Sequence, residues 1–220
     1  MQVRERLQGI AAPAGISEFV SALKTIANRT ASAYEEQLTR QRRANPGFGR
    51  DWAEIECRKG CAFCCHLNVT ASPIEAIHVA ATLRVRHRAD LENAVLAASR
   101  SQSGLDAASR LAKKLACPLL VGGAFSIYQA RPLACRTLVS LSAGACERHF
   151  DAGGWATEPN PSLITPRVLG SAFLTGEMAA MLDLGLAGNL VELTRAVAVL
   201  LTEPTSLARW IHGEDIFLAA

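Results

Sequence analysis

Residues 57–66 read CRKGCAFCCH, so four cysteines and a histidine fall within ten positions. If this stretch were helical, its cysteines would share one face, because the later three follow Cys57 by four, seven and eight residues. Cys57 and Cys65 would then lie about 12 Å apart at about 1.5 Å per residue, whereas zinc holds each sulfur at about 2.3 Å. A straight helix therefore cannot bring all four to one ion. Gly60 predicts a turn that folds Cys57 towards Cys61; a polynuclear centre, or two sites on one face, are the alternatives.

The adjacent pair Cys64 and Cys65 restricts the chemistry further. A disulfide between sequence neighbours is strained, so a structural bridge is not expected there. Burial of one of the two as a small apolar residue is the alternative for that pair. For the whole stretch, the alternative is four buried cysteines that bind nothing.

Three more cysteines, at positions 117, 135 and 146, lie far along the chain. An odd total of seven, with clustered spacing, disfavours a disulfide scaffold and favours metal binding or redox work. A metal that joined these residues to 57–65 would connect separate loops. In small zinc domains, metal binding contributes on the order of 10 kcal/mol to the free energy of folding. His66 and His149 are further candidate ligands through an imidazole nitrogen.

The composition favours helices and a protein in solution. Half of the 220 residues are hydrophobic and few are aromatic, with a net charge of +3, which gives little reason to expect a nucleic-acid partner. The N-terminus has no apolar run of signal-peptide length, and AVAVLL at 196–201 is far shorter than the roughly 20 residues of a membrane span. We therefore expect a cytoplasmic protein without a membrane partner; the sequence predicts neither a protein partner nor an oligomeric state.

Apolar spacing predicts a mostly α fold, an irregular helical domain in which the cysteine cluster joins loops between helices. A single domain over 1–220 is expected, with an N-terminal helix at 16–43, a cysteine-cluster core at about 55–150 and C-terminal helices within 171–212. A further helix is predicted from 89 to 115, with an interruption at Gly104.

Two local signals refine this fold. In SPIEA, Ser72 can cap a helix, Pro73 suits its first position and Glu75 completes a capping box. The stretch 142–170 is rich in Gly, Pro, Asn and Asp and is predicted to be a long connection.

Basic residues accompany the cysteines. Four thiolates around one divalent cation leave a charge of about −2, and arginine can also donate hydrogen bonds to sulfur. Arg136 is the side chain that we expect most in this role, and ordinary surface positions are the alternative. The candidates are Arg58, Lys59, Arg131 and Arg136.

The motifs CRKGCAFCC, SPIEA, SIYQARPLACR and SLSAGACERHF, in this order, resemble the CxxCxxCC cysteine-cluster family over roughly residues 55–150. This family is described as zinc- or iron-chelating and is related to flagellin lysine N-methylase, which transfers a methyl group from S-adenosylmethionine. The resemblance implies bound zinc or iron, with an iron–sulfur cluster as one form, and no particular substrate. It places the family's cysteines on Cys57, Cys61, Cys64, Cys65, Cys117, Cys135 and Cys146.

The chain departs from this family at one position. The family's G-x-C-S-I-Y segment reads GAFSIY here, with Phe125 in place of the cysteine. Phenylalanine cannot ligate a metal, so either that cysteine is dispensable or one of two sites has fewer protein ligands. Tyr128 and the pair Arg131–Pro132 match the family and are expected to hold the loop.

Three functional hypotheses follow. The first is a metal-binding protein that holds zinc or iron through thiolates. The second is an enzyme for methyl-group transfer or redox chemistry at an open coordination position. The third is a thiol-redox or metal-delivery module. Residues 57, 61 and 64 also have the spacing of radical S-adenosylmethionine enzymes, but the chain lacks the strand–helix succession of a barrel and is short for one.

Overall fold

The computed structural model describes residues 13–58, 60–153 and 161–218, and this part of the chain is mostly α-helical, as predicted. Two 3-10 turns, at Phe63–His66 and Tyr128–Ala130, lie between the helices. The ten described helices are α1 (Pro13–Ala44), α2 (Pro46–Ala53), α3 (Pro73–Val85), α4 (Ala89–Gln102), α5 (Ala107–Ala112), α6 (Leu133–Thr137), α7 (Ala143–Asp151), α8 (Ile164–Asp183), α9 (Leu193–Thr202) and α10 (Ser206–Ile211).

Four two-residue strands join distant loops. Strand β1 (Thr70–Ala71) pairs antiparallel with β4 (Val191–Glu192), which ties the start of α3 to the start of α9. Strands β2 (Leu120–Val121) and β3 (Ala124–Phe125) form a hairpin. Its two turn residues, both glycine, have φ values of 56° and 75°, as a tight primed turn requires.

Helix α3 begins as the sequence predicts. The Ser72 side chain accepts from the Glu75 backbone N–H, and the Glu75 carboxylate accepts from the Ser72 N–H, which completes the capping box. All residues from 73 to 80 are buried, so α3 is a central helix without a solvent face over this length.

Two apolar clusters hold the helices together. The larger joins α1, α3, α4, α9 and α10 and includes Leu83, Val197 and Trp210. The smaller joins α1, α2 and α6 around Tyr34 and Leu133. No described helix has both the length and the apolar character needed to cross a lipid bilayer.

The prediction of a long connection over 142–170 is wrong. Ser142 accepts from the Ala145 N–H and caps α7, and α8 begins at Ile164, seven residues before the predicted 171. Two of the residues that suggested a loop lie in first turns, Gly144 in α7 and Pro166 in α8, where proline does not break a helix. The predicted interruption of 89–115 at Gly104 is confirmed, with φ of 73°.

Candidate metal centre

The cysteine stretch leaves α2 and turns instead of continuing as a helix. Gly60 has a φ of 96°, a conformation that glycine adopts at little cost. The Cys61 N–H donates to the Arg58 carbonyl at 3.0 Å, which closes the turn. Cys64 and Cys65 follow in the 3-10 turn Phe63–His66. The predicted turn at Gly60 is therefore present.

Backbone hydrogen bonds connect this stretch to two of the distant loops. The Cys117 N–H donates to the Cys65 carbonyl at 2.7 Å. The Ser140 N–H donates to the Cys57 sulfur at 3.1 Å. An N–H donor at sulfur favours the thiolate form, so the Ser140 contact suits Cys57 to a negatively charged state.

Helix α7 brings Cys146 to the same region. Its Phe150 ring packs against the rings of Phe63 and His66, with centroids 5.9 and 4.5 Å away. The Lys114 ammonium lies 4.6 Å from the Phe150 ring centroid. These contacts fix α7 on the 3-10 turn.

The two candidate histidines lie close to the cysteines in sequence. Nδ1 of His66 is 3.2 Å from the Ala62 carbonyl, and its ring packs against Phe150 with the ring planes tilted by 49°. His149 lies on α7. Neither histidine is among the residues that line the neighbouring cavity.

A cavity of about 580 Å³ lies between these segments and is lined by six of the seven cysteines. Phe125, Tyr128 and Val139 contribute apolar wall. The volume is in the range of small-molecule sites, roughly 300–1,000 Å³. The lining cysteines are Cys57, Cys61, Cys64, Cys65, Cys117 and Cys135.

The thiols form two overlapping groups, which we define by their electrostatic influence on one another. In the first group, burial raises the pKa of Cys57, and neighbouring Cys61, Cys146 and Cys64 raise it further. Burial likewise raises the pKa of Cys61, with contributions from Cys64 and Cys146. The first thiol group is therefore Cys57, Cys61, Cys64 and Cys146.

The second thiol group is Cys64, Cys65, Cys117 and Cys135. The Cys64 thiol hydrogen-bonds to Cys65, which raises the pKa of Cys64 and lowers the pKa of Cys65. Burial raises the pKa of Cys135 to about 12, and Cys117 and Cys64 add to this shift. Cys64 belongs to both groups, and both members of the adjacent pair line the cavity.

Arg131 is the cation of the second group. Its positive charge partly opposes the rise in the pKa of Cys64 and Cys135, and it adds to the lowered pKa of Cys65 that the hydrogen bond from Cys64 causes. Its guanidinium lies 4.4 Å from the Tyr128 ring centroid, and its buried Nε has no hydrogen-bond partner among the described residues. A cysteine thiolate could accept a hydrogen bond from this N–H.

Arg136, which the sequence favoured for this role, has its donors directed elsewhere. Its Nε donates to the Arg131 carbonyl at 2.8 Å and its Nη2 to the Gln129 carbonyl at 3.0 Å. Its Nη1 lies 3.6 Å from a Glu35 carboxylate oxygen. Arg136 therefore holds the loop before α6 in place.

The remaining two basic candidates differ in what the structure describes. Arg58 is exposed, and its charge opposes only part of the rise that burial causes in the pKa of Cys61. Lys59 lies outside the described residues.

The lining of the cavity also contains an ion pair that sequence reasoning missed. Arg110 is 7% exposed, donates to the Asn68 Oδ1 at 2.6 Å and lies 3.1 Å from Glu192. Gln102 also accepts from Arg110. No spacing rule relates these positions, because they meet only through the tertiary fold.

Within the described residues, no three Cys, His, Asp or Glu side chains stand in a ready-made arrangement for an ion. The donor set is sulfur, which suits zinc and iron, and each ligand must lose its proton on binding. The residues fit such a metal by chemistry, and the assignment of individual ligands stays a prediction.

Comparison with known proteins gives one family. Residues 56–151 match the model of the CxxCxxCC family, whose description is "Putative zinc- or iron-chelating domain". No curated protein and no solved structure matches the chain. The matched segment contains all seven cysteines and both thiol groups.

Proposed function

From the match of residues 56–151 to the model of the CxxCxxCC family, we propose that the protein binds zinc or iron through clustered cysteine thiolates. One observation carries this proposal: cysteines from separate segments of the chain surround one cavity. Seven free cysteines are present, and all are partly exposed. Core packing alone would bury such residues instead of leaving them at a cavity.

We propose that metal is held at the two thiol groups. Each contains four sulfurs, the number that a tetrahedral thiolate site uses. Because Cys64 belongs to both, the arrangement suits two ions that share this ligand or one polynuclear centre. An iron–sulfur cluster uses the same thiolate ligands. Bound metal would supply a positive charge that keeps these sulfurs deprotonated near neutral pH.

The surrounding residues would stabilise the charge of such a centre. Four thiolates on a divalent ion leave about −2. Arg131 counters this charge at the second group, and the Ser140 N–H donates to Cys57 in the first. The two groups therefore have separate sources of stabilisation.

Metal would also organise the loops that carry the cysteines. Between α5 and α7 the chain has only two-residue strands, a 3-10 turn and the five-residue α6. Ligands at positions 117, 135 and 146 would join these short elements to residues 57–65.

A second candidate function is catalysis at an open coordination position, by group transfer or redox chemistry. The cavity of about 580 Å³ favours it, because a metal ion alone needs far less than a small-molecule site. Phe125 lines the cavity at the position where the family resemblance expects a cysteine, and it offers no ligand. A metal there with an exogenous ligand in the cavity would support this candidate, and two closed tetrathiolate sites would count against it.

Elemental analysis with an optical spectrum of protein purified without air tests metal binding. We expect at least about one equivalent of zinc or iron: colourless protein for zinc, and brown protein with absorption in the blue for an iron–sulfur cluster. A variant with residues 57, 61, 64 and 65 changed to serine is the control and should lose the metal. Wild-type protein without metal, in which all seven thiols titrate freely, would refute the proposal.

A further inference from the structure

Glu75 uses its two carboxylate oxygens to hold two separate parts of the chain. Its Oε2 accepts from the Ser72 backbone N–H at 3.0 Å, which is half of the capping box. Its Oε1 accepts from the Leu133 backbone N–H at 2.6 Å, across 58 positions of sequence. Glu75 is only 7% exposed, so water does not compete for these bonds. The capping box explains the first contact and leaves the second unexplained.

The second contact fixes the short helix that carries Cys135. Helix α6 runs over Leu133–Thr137, and the anchored N–H belongs to its first residue. The Cys135 N–H donates to the Pro132 carbonyl at 3.0 Å, so Cys135 lies within the same turn. A shift of Leu133 would therefore move the Cys135 thiol.

The central helix α3 gives this anchor a rigid base. Besides the capping box, the Ser72 hydroxyl donates to Glu177 of α8 at 2.6 Å. The carboxylate of Glu75 is thus held on a buried helix that is itself fixed to α8 at the same end.

We propose that Glu75 is a positioning residue for the metal centre: it holds α6 on α3 and so places the Cys135 thiol at the cavity. The positions of the residues in this inference come from the two hydrogen bonds, and its effect on metal binding rests on the proposed function. Both oxygens are needed. Glutamine offers one carbonyl oxygen, and its amide group would face the other N–H donor.

Ser72 supplies a matched control. Ser72→Ala removes the cap and the Glu177 contact from the same end of α3, so it weakens the helix. It leaves the bond between Glu75 and Leu133 in place. A role for Glu75 in helix stability alone predicts similar behaviour of Glu75→Gln and Ser72→Ala, whereas positioning predicts different behaviour at Cys135.

The test measures alkylation of each cysteine by iodoacetamide, with peptide mass mapping, in protein loaded with Zn²⁺. In wild type, zinc should slow alkylation of Cys57 and Cys135 alike. In Glu75→Gln, Cys135 should react at least about tenfold faster, the lower end of the 10–100-fold effect of losing a supporting contact at a metal site, while Cys57 stays protected. In Ser72→Ala, both should stay protected although the midpoint of thermal unfolding falls.

Two results in folded Glu75→Gln would overturn the inference: Cys135 that stays protected, or Cys57 and Cys135 exposed together, since the second reports a loss of the whole metal centre instead of a specific effect on Cys135. If Glu75→Gln does not fold by circular dichroism, Glu75→Asp replaces it, because the shorter side chain keeps the charge and loses the reach to Leu133. Zinc that fails to slow alkylation in wild type rejects the proposed function. The anchor is then judged in metal-free protein, where Glu75→Gln should speed amide hydrogen exchange at Leu133 and unchanged exchange would reject the anchor too.

Discussion

Two buried titratable groups on α3, Glu75 and His78, should make the free energy of unfolding depend on pH in opposite directions. In the wild type the two effects should cancel. Burial raises the pKa of Glu75 to about 7, and Glu177 adds to this, while the Leu133 and Ser72 N–H groups and Arg136 oppose it. Burial lowers the pKa of His78 to about 4, and Lys24 and Arg136 add to this shift. The side chains are 7% and 8% exposed, so solvent screens these effects little.

The sign of each contribution follows from which form the fold prefers. The ordinary pKa of His78 is 6.5, so its contribution to stability is complete above that pH and is lost as the pH falls towards 4. The ordinary pKa of Glu75 is 4.5, so its contribution is complete below that pH and is lost as the pH rises towards 7. Each shift corresponds to about 3 kcal/mol in total, of which about 2 kcal/mol falls between pH 4.5 and 6.5.

Urea unfolding of metal-free protein across this pH range isolates the two contributions. Relative to wild type, the unfolding free energy of Glu75→Gln should rise with pH by about 2 kcal/mol, because only His78 still titrates. That of His78→Leu should fall with pH by about the same amount. The variants and the wild type contain the same thiols, so the thiol contributions cancel when the unfolding free energy of each variant is compared with that of the wild type. Two variants whose pH profiles run parallel to wild type would refute the reasoning.

Three further predictions concern the thiols. Cys64→Ser should lower the amount of metal bound at both thiol groups, whereas Cys65→Ser and Cys146→Ser should each lower it at one group. Cobalt–thiolate absorption measures the bound metal. Equal effects of all three variants would contradict the membership of Cys64 in both groups. Arg131→Gln should weaken metal binding about 10–100-fold in a chelator competition, and the exposed control Arg86→Gln should not. Equal metal affinities of the two variants would show that Arg131 does not stabilise the bound metal. Chelation should increase hydrogen exchange in the loops that carry the cysteines far more than in the apolar helical core, and a uniform increase would show that the metal supports the whole fold.

Local signals of the sequence predicted local structure well. The capping box at Ser72 and the turn at Gly60 are present, because each depends on residues within a few positions of one another. Helix α7 was missed, because Gly144 and neighbouring turn-forming residues suggested a loop although Ser142 caps a helix there. A capping serine outweighs glycine in the first turn, where the helix makes few hydrogen bonds of its own.

Nonlocal contacts were beyond sequence reasoning. The cysteine spacing indicated that thiols gather, but not that Cys64 belongs to two groups. The sequence favoured Arg136, whereas Arg131 is the arginine whose charge acts on the Cys135 thiol, because only the fold directs their donors. The bond from Leu133 to Glu75 has no sequence signature, since it joins a capping residue to a distant backbone N–H.

X-ray absorption at the edge of the metal that copurifies tests the central claim most directly. If thiolates from these separate segments bind the metal, its first shell should be mostly sulfur, at about 2.3 Å for zinc. A first shell of nitrogen and oxygen alone would contradict the account, because the cysteines around the cavity would then not be the ligands.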